Sequence, residues 1–136
     1  MLHLASIRRR RQRGQSLLET AMMIVVIFTV LFWVFEICWI MYTYTVLADA
    51  ANEGVRYAIV HSGGDSSGTT TRVRTFAATS MHNVSAMTVS VTFPDTLTTP
   101  PNRVRVTVTY AYIPWLSHFV TAPSLHAYAE GRMVVQ

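Results

Sequence analysis

The sequence predicts an α+β protein built from one long N-terminal helix, a short second helix and a small three-stranded antiparallel sheet. Three observations lead there. Residues 15–53 contain neither proline nor glycine and include a long apolar run. Between Thr70 and Met81 apolar residues recur at helical intervals, and from Met87 onward they recur at every second position in three separate runs. A chain of 136 residues has room for one small domain and at most one long element outside it. With 51% hydrophobic and 13% charged residues, it is too apolar to be disordered.

The long helix begins in a charged stretch. Residues Arg8 to Glu19 read RRRRQRGQSLLE, which places five of the 11 basic residues before Gly14. Beyond Gly14, six arginines face seven acids. The net charge of +4 and the pI of 9.7 therefore describe a basic leader rather than a basic surface, and nucleic-acid binding loses its support.

After the leader, Ala21 to Ile40 reads AMMIVVIFTVLFWVFEICWI, with Glu36 as its one charge. A helix rises about 1.5 Å per residue, so roughly 20 such residues cross a hydrocarbon layer of about 30 Å. With the inner boundary at Gln15 the outer one falls near Phe35. That puts Glu36 at the far interface, close to a belt formed by Trp33, Trp39, Tyr42 and Tyr44. Arginines before the span predict a cytoplasmic N-terminus and an external C-terminal part. A buried helix of a soluble protein would have to be covered on every face, more than the remaining residues can do. Cys38 lies in the apolar run and reads as a small buried hydrophobe; being single, it excludes an internal disulfide. Ala48-Asp49-Ala50 has the small-x-small pattern of a secretory cleavage site, but the apolar core before it is too long for one, and the pattern of a twin-arginine signal is missing.

Glu19 is harder to place. It lies four residues, about 6 Å, inside the inner boundary, where a carboxylate calls for a partner. A cut between Gly14 and Gln15 would create an α-amino group on the same side of the helix, near an N-terminus that already favours negative charge. Without a cut, Glu19 is an acid near the arginine cluster.

RRRRQRGQSLLE before an apolar helix resembles the leader and cleavage site of type IV pilins. The run from Gly14 to Ala58 more closely resembles the TadE-like family, pilin-like pseudopilins of the tight-adherence (Flp) pilus system. RGQSLLE, the late Glu36 and AANEGVRYA at Ala50 to Ala58 carry the likeness, over about the first 45% of the chain. The resemblance implies cleavage after Gly14 by a prepilin peptidase, an inner-membrane assembly platform, and filament subunits as partners. It also implies that Glu19 meets the Gln15 amine of a neighbouring subunit during assembly. Glu36 joins the assembly residues with no partner assigned. Thr20 departs from the aromatic or aliphatic residue more often found after the glutamate.

Further along, the helix is expected to run to about His61. Leu47, Ala50, Ala51, Gly54 and Ala58 share one face, while Asp49, Asn52, Glu53 and Arg56 lie away from it. The small residues predict close packing against the rest of the domain. HSGGDSSGTTT, from His61 to Thr71, predicts a flexible loop; its one carboxylate, Asp65, falls far short of a calcium site. A short helix follows over Thr70 to Met81, with Val73, Phe76, Ala77 and Met81 on its stripe. The three strands alternate Met87 to Phe93, Val104 to Tyr112 and Leu125 to Met133, and PDTLTTPPN forms the turn between the first two. Small residues in the third strand suit packing on a helix. PWLSHFVTAP, from Pro114 to Pro123, is apolar for a loop. It either folds over the edge of the core or presents Trp115, Leu116 and Phe119 to a neighbouring subunit or target.

The expected organisation is a leader at 1–14, a helix at 15–62 whose span covers about 15–40 and whose outer half covers 41–62, and a small external part at 63–136. His61, His82, His118 and His126 show no metal-ligand spacing, and no nucleophile or phosphate-loop motif is present, so neither an enzyme nor a cofactor is expected. Asn83-Val84-Ser85 is a glycosylation sequon of the kind that arises by chance. The expected function is a pilin or pseudopilin, inserted in the inner membrane as a precursor and assembled into or onto an extracellular pilus. The competing expectation is a permanent single-span membrane protein with an external binding domain.

Overall fold

The computed structural model describes residues 2–61, 64–81, 83–99, 101–115 and 123–134, with side chains described from residue 14 onward. Helix α1 runs Leu2–Val60 and α2 Ser66–Ala78; β1 is Met87–Thr92, β2 Arg103–Ala111 and β3 Ser124–Arg132. The chain is α+β, as the periodicities predict. It divides into two compact units, Met1–Cys38 and Trp39–Gln136.

The first unit consists of α1 alone. Gly14–Val60 is long and apolar enough to cross a membrane, and none of its most apolar stretch is covered by protein. Every large apolar side chain named from Leu17 to Phe35 is at least 44% exposed. A helix apolar on all faces is stable only where lipid or other helices replace water.

The second unit contains a core between two helices and one face of the sheet. From α1 it takes the small stripe: Leu47, Ala50 and Ala51 are fully buried, and Val55 and Ala58 nearly so. Val73 and Ala77 come from α2, and Val104, Val106 and Val108 from β2, all fully buried. The strand order is β1-β2-β3, antiparallel throughout. Val106 lies opposite Val91 and Ala129, and Val108 opposite Val89 and Ala127. With a side-chain period of two, this register sends all the valines to the helices and leaves Thr88, Ser90, Arg105, His126 and Tyr128 on the outer face.

Close approach explains the small residues. A Cβ on Gly54 would lie 2.4 Å from Val73 Cγ2 and 3.2 Å from Val106 Cγ1, so α1, α2 and β2 meet at that glycine. A Cβ on Gly131 of β3 would lie 2.5 Å from Val55 Cγ1, which is why the third strand is small-residued where it crosses α1.

The second helix starts earlier than its apolar spacing predicts. Ser66 to Thr71, expected in a loop, is helical, and the helix ends at Ala78 rather than Met81. Asp65 is the reason: its carboxylate accepts from Gly68 N and Ser67 Oγ, both at 2.9 Å, and caps the new N-terminus. These bonds hold the Asp65 carboxyl below its ordinary pKa, the Gly68 amide being the largest cause. Thr69, Thr70 and Thr71 each donate their hydroxyl to the carbonyl four residues back, so the polar run satisfies itself within the helix. Phe76, expected on the buried stripe, is 38% exposed, and buried Thr69 takes a place on it.

At the tip of the first hairpin Asp95 accepts from Arg103 N and Nη2 at 2.9 Å and from Nε at 3.2 Å. The guanidinium and the amide lower the Asp95 pKa to about 2. Arg103 and Arg105 also pair with Glu130 across the outer face. Met133 N donates to Asn102 O and Val134 N to Ile59 O, tying the chain end to the turn and to α1.

Candidate functional site

The residues singled out for processing and assembly lie on the first turns after the leader. Gly14 to Thr20 are helical and exposed. Gln15 Nε2 donates to Glu19 Oε1 at 3.4 Å, so the two side chains are neighbours one turn apart, as i,i+4 geometry requires. Thr20 donates its hydroxyl to Ser16 O at 2.9 Å and so carries no unsatisfied donor into the apolar stretch. Thr29 bonds back to Val25 O in the same way.

Gly14 has no packing role. A Cβ added there meets nothing within 4 Å, and its backbone is helical. A helical glycine is less stable than alanine by about 1 kcal/mol, so the fold does not account for this residue. Gly54, in the same helix, is accounted for fully by the contacts above.

Glu36 differs from its surroundings. It is 9% exposed, whereas its described neighbours from Gly14 to Phe35 and from Ile37 to Trp39 are all exposed. Its side chain is engaged rather than free. At the interface level its position along the span predicts, a carboxylate needs little; in the folded chain it is covered.

Of the apolar connection, Trp115 is described and is 84% exposed. Leu116 and Phe119 lie outside the described residues. Among the described residues no cluster of three or more histidine, cysteine or acidic side chains could hold a metal ion. Tyr57 and His61 stack at 3.9 Å between centroids, and Tyr57 Oη donates to Asp65 Oδ2 at 3.4 Å, a contact that fastens the end of α1 to the start of α2.

A family model matches from Gly14 onward: residues 14–56 fit the family described as TadE-like protein. Residues 14–56 are thus similar to that family, and the likeness covers less than half of the chain. It starts at the glycine that packing does not explain and ends just past the glycine that packing requires. No curated protein and no solved structure matches the chain. Beyond Arg56 the fold therefore stands on its own contacts. Within the segment, the Ala50, Ala51 and Gly54 stripe is core packing, while Gly14, Gln15 and Glu19 form no part of any core.

Proposed function

We propose that the chain is a pilin-like subunit made as a membrane precursor, cut between Gly14 and Gln15 by a prepilin peptidase, and built through α1 into or onto an extracellular tight-adherence pilus. One observation carries this reading: the TadE-like segment opens on a glycine that the fold does not need, with Glu19 exposed one turn beyond Gln15. After cleavage the Gln15 α-amine replaces the leader. Glu19 of one subunit then meets the new amine of a neighbour, and the pair neutralises two charges that would each be costly among packed apolar helices. Before cleavage, the arginines of the leader hold the N-terminus on the cytoplasmic side and the Trp39–Gln136 unit is exported. Prepilin peptidase and an inner-membrane assembly platform are the partners this reading requires.

Mass spectrometry of the protein from its native cells tests the cleavage. The expected mature chain begins at Gln15; an intact chain held permanently in the membrane fraction would support a single-span binding protein instead. Glu19→Ala is expected to insert and be cut normally yet fail to enter filaments. Normal filaments from that variant would remove the ion pair.

A further inference from the structure

On the side of α1 turned away from the core of the Trp39–Gln136 unit, three polar residues are accounted for by nothing within the chain. Asp49, Asn52 and Arg56 are exposed. Among the described residues, none of their side chains makes a hydrogen bond or an ion pair. Glu53 beside them is different: it accepts from Arg72 Nη2 at 2.8 Å and Nε at 3.0 Å, so its charge is answered within the unit.

Positions 49, 52 and 56 are spaced by three and then four residues, so they follow one another along a single stripe of the helix. The stripe carries a negative charge at one end and a positive charge at the other. Within one helix, charges pair across three or four residues; Asp49 and Arg56 are seven residues apart, an axial separation of about 10.5 Å. They do not reach each other, and each is open to a partner from outside the chain.

The charges select the partner. A surface of one sign would be attracted at one end of the stripe and repelled at the other, whereas a second copy of the stripe is complementary once it is shifted. If two copies run parallel and one is displaced by seven residues, Asp49 of the first comes level with Arg56 of the second. Arg56 of the first and Asp49 of the second stay open for further copies. Such a contact is head-to-tail and does not close on itself, which is the kind that builds filaments. Antiparallel copies would satisfy both pairs at once and stop at a dimer. Subunits that enter one membrane with the same end inside present their helices in the same direction, so the parallel arrangement applies.

We infer that the outer half of α1 is a contact between copies of this chain, in which Asp49 of one subunit pairs with Arg56 of the next across a stagger of about seven residues. This rests on the reading that the chain is assembled into a filament. An exposed ion pair adds little affinity by itself. Its effect is on register: copies at other staggers leave the two charges unpaired or set like charges together, and electrostatic complementarity acts chiefly by excluding such arrangements.

A charge swap tests the pairing in the full chain, with each variant replacing the native copy in its own cells. Asp49→Arg and Arg56→Asp are each expected to lose filaments from the sheared surface fraction, and the double variant to regain them. Both side chains are exposed, so all three variants should keep the melting temperature of the parent in detergent, which separates a lost contact from a lost fold. A second readout is covalent: with Cys38→Ala, the pair Asp49→Cys and Arg56→Cys should give a ladder of multimers when filaments are oxidised. Single reversals that make normal filaments would overturn the contact, as would a folded double variant that does not regain them. Cross-linking that stops at a dimer would mean antiparallel copies and overturn the stagger, and absence of cross-linking would overturn the proximity. A parent chain that stays uncut in the membrane and makes no filament would overturn the assembly reading itself, and the contact with it.

Discussion

Gly54 sits where α1, α2 and β2 converge, and an added methyl group would lie 2.4 Å from Val73 Cγ2. Gly54→Ala is therefore expected to lower stability by about 1–3 kcal/mol despite the better helix propensity of alanine, because a packed core yields poorly to an extra carbon. Thermal unfolding in detergent would measure it. Combining the change with Val73→Ala should cost less than the two separately, since the second removes the atom that the first strikes. Gly14→Ala, with open space around it, should not lower the melting temperature, since alanine is the better helix former. At Asp95 the argument is electrostatic. The Arg103 hydrogen bonds lower its pKa from 3.8 to about 2, so the folded form holds the proton less tightly than the unfolded chain. Its stabilising contribution is then complete above pH 3.8 or so and disappears as the pH falls towards 2. Asp95→Asn should be less stable than the parent at neutral pH and should converge with it at the acid end, as a melting-temperature series against pH would record.

Elements were legible in the sequence wherever the hydrophobic period was long and unmixed. The three strands could be read because β2 alternates Val104, Val106 and Val108 with polar residues, and all three valines are fully buried. The small stripe of α1 was legible for the same reason. The start of α2 was not, because Ser66 to Thr71 has a loop composition; what makes it helical is a single capping carboxylate and hydroxyls turned back onto their own helix, neither of which produces an apolar pattern. Asp65→Ala is expected to lower stability and to raise amide exchange selectively in the first turn of α2, with β2 unaffected. Exchange rising equally across both would mean that the cap supports the whole unit. Glu36 was half legible: its position along the span could be counted from the arginines, but burial of one carboxylate among exposed neighbours leaves no trace in periodicity.

For the whole molecule, charge is divided along the chain rather than spread over a surface. Five arginines precede Gly14, and the remainder carries six arginines against seven acids. In the proposed precursor this asymmetry sets the direction of insertion, since arginines near the end of a span stay on the cytoplasmic side and acids count for little. No positive charge follows the apolar run until Arg56, so nothing nearby opposes the leader. Replacing Arg8 to Arg11 with glutamine leaves one arginine ahead of the span and should produce a mixture of orientations. A reporter fused at the C-terminus and scored on both sides of the membrane would read that mixture directly. The Trp39–Gln136 unit should fold equally well in either orientation, because the buried hydrophobic residues described in it begin at Val46, beyond the span's apolar run. An unchanged, uniform orientation would shift the topological signal to the aromatic end of the span, and the leader's arginines would then be left with recognition by the peptidase as their remaining role.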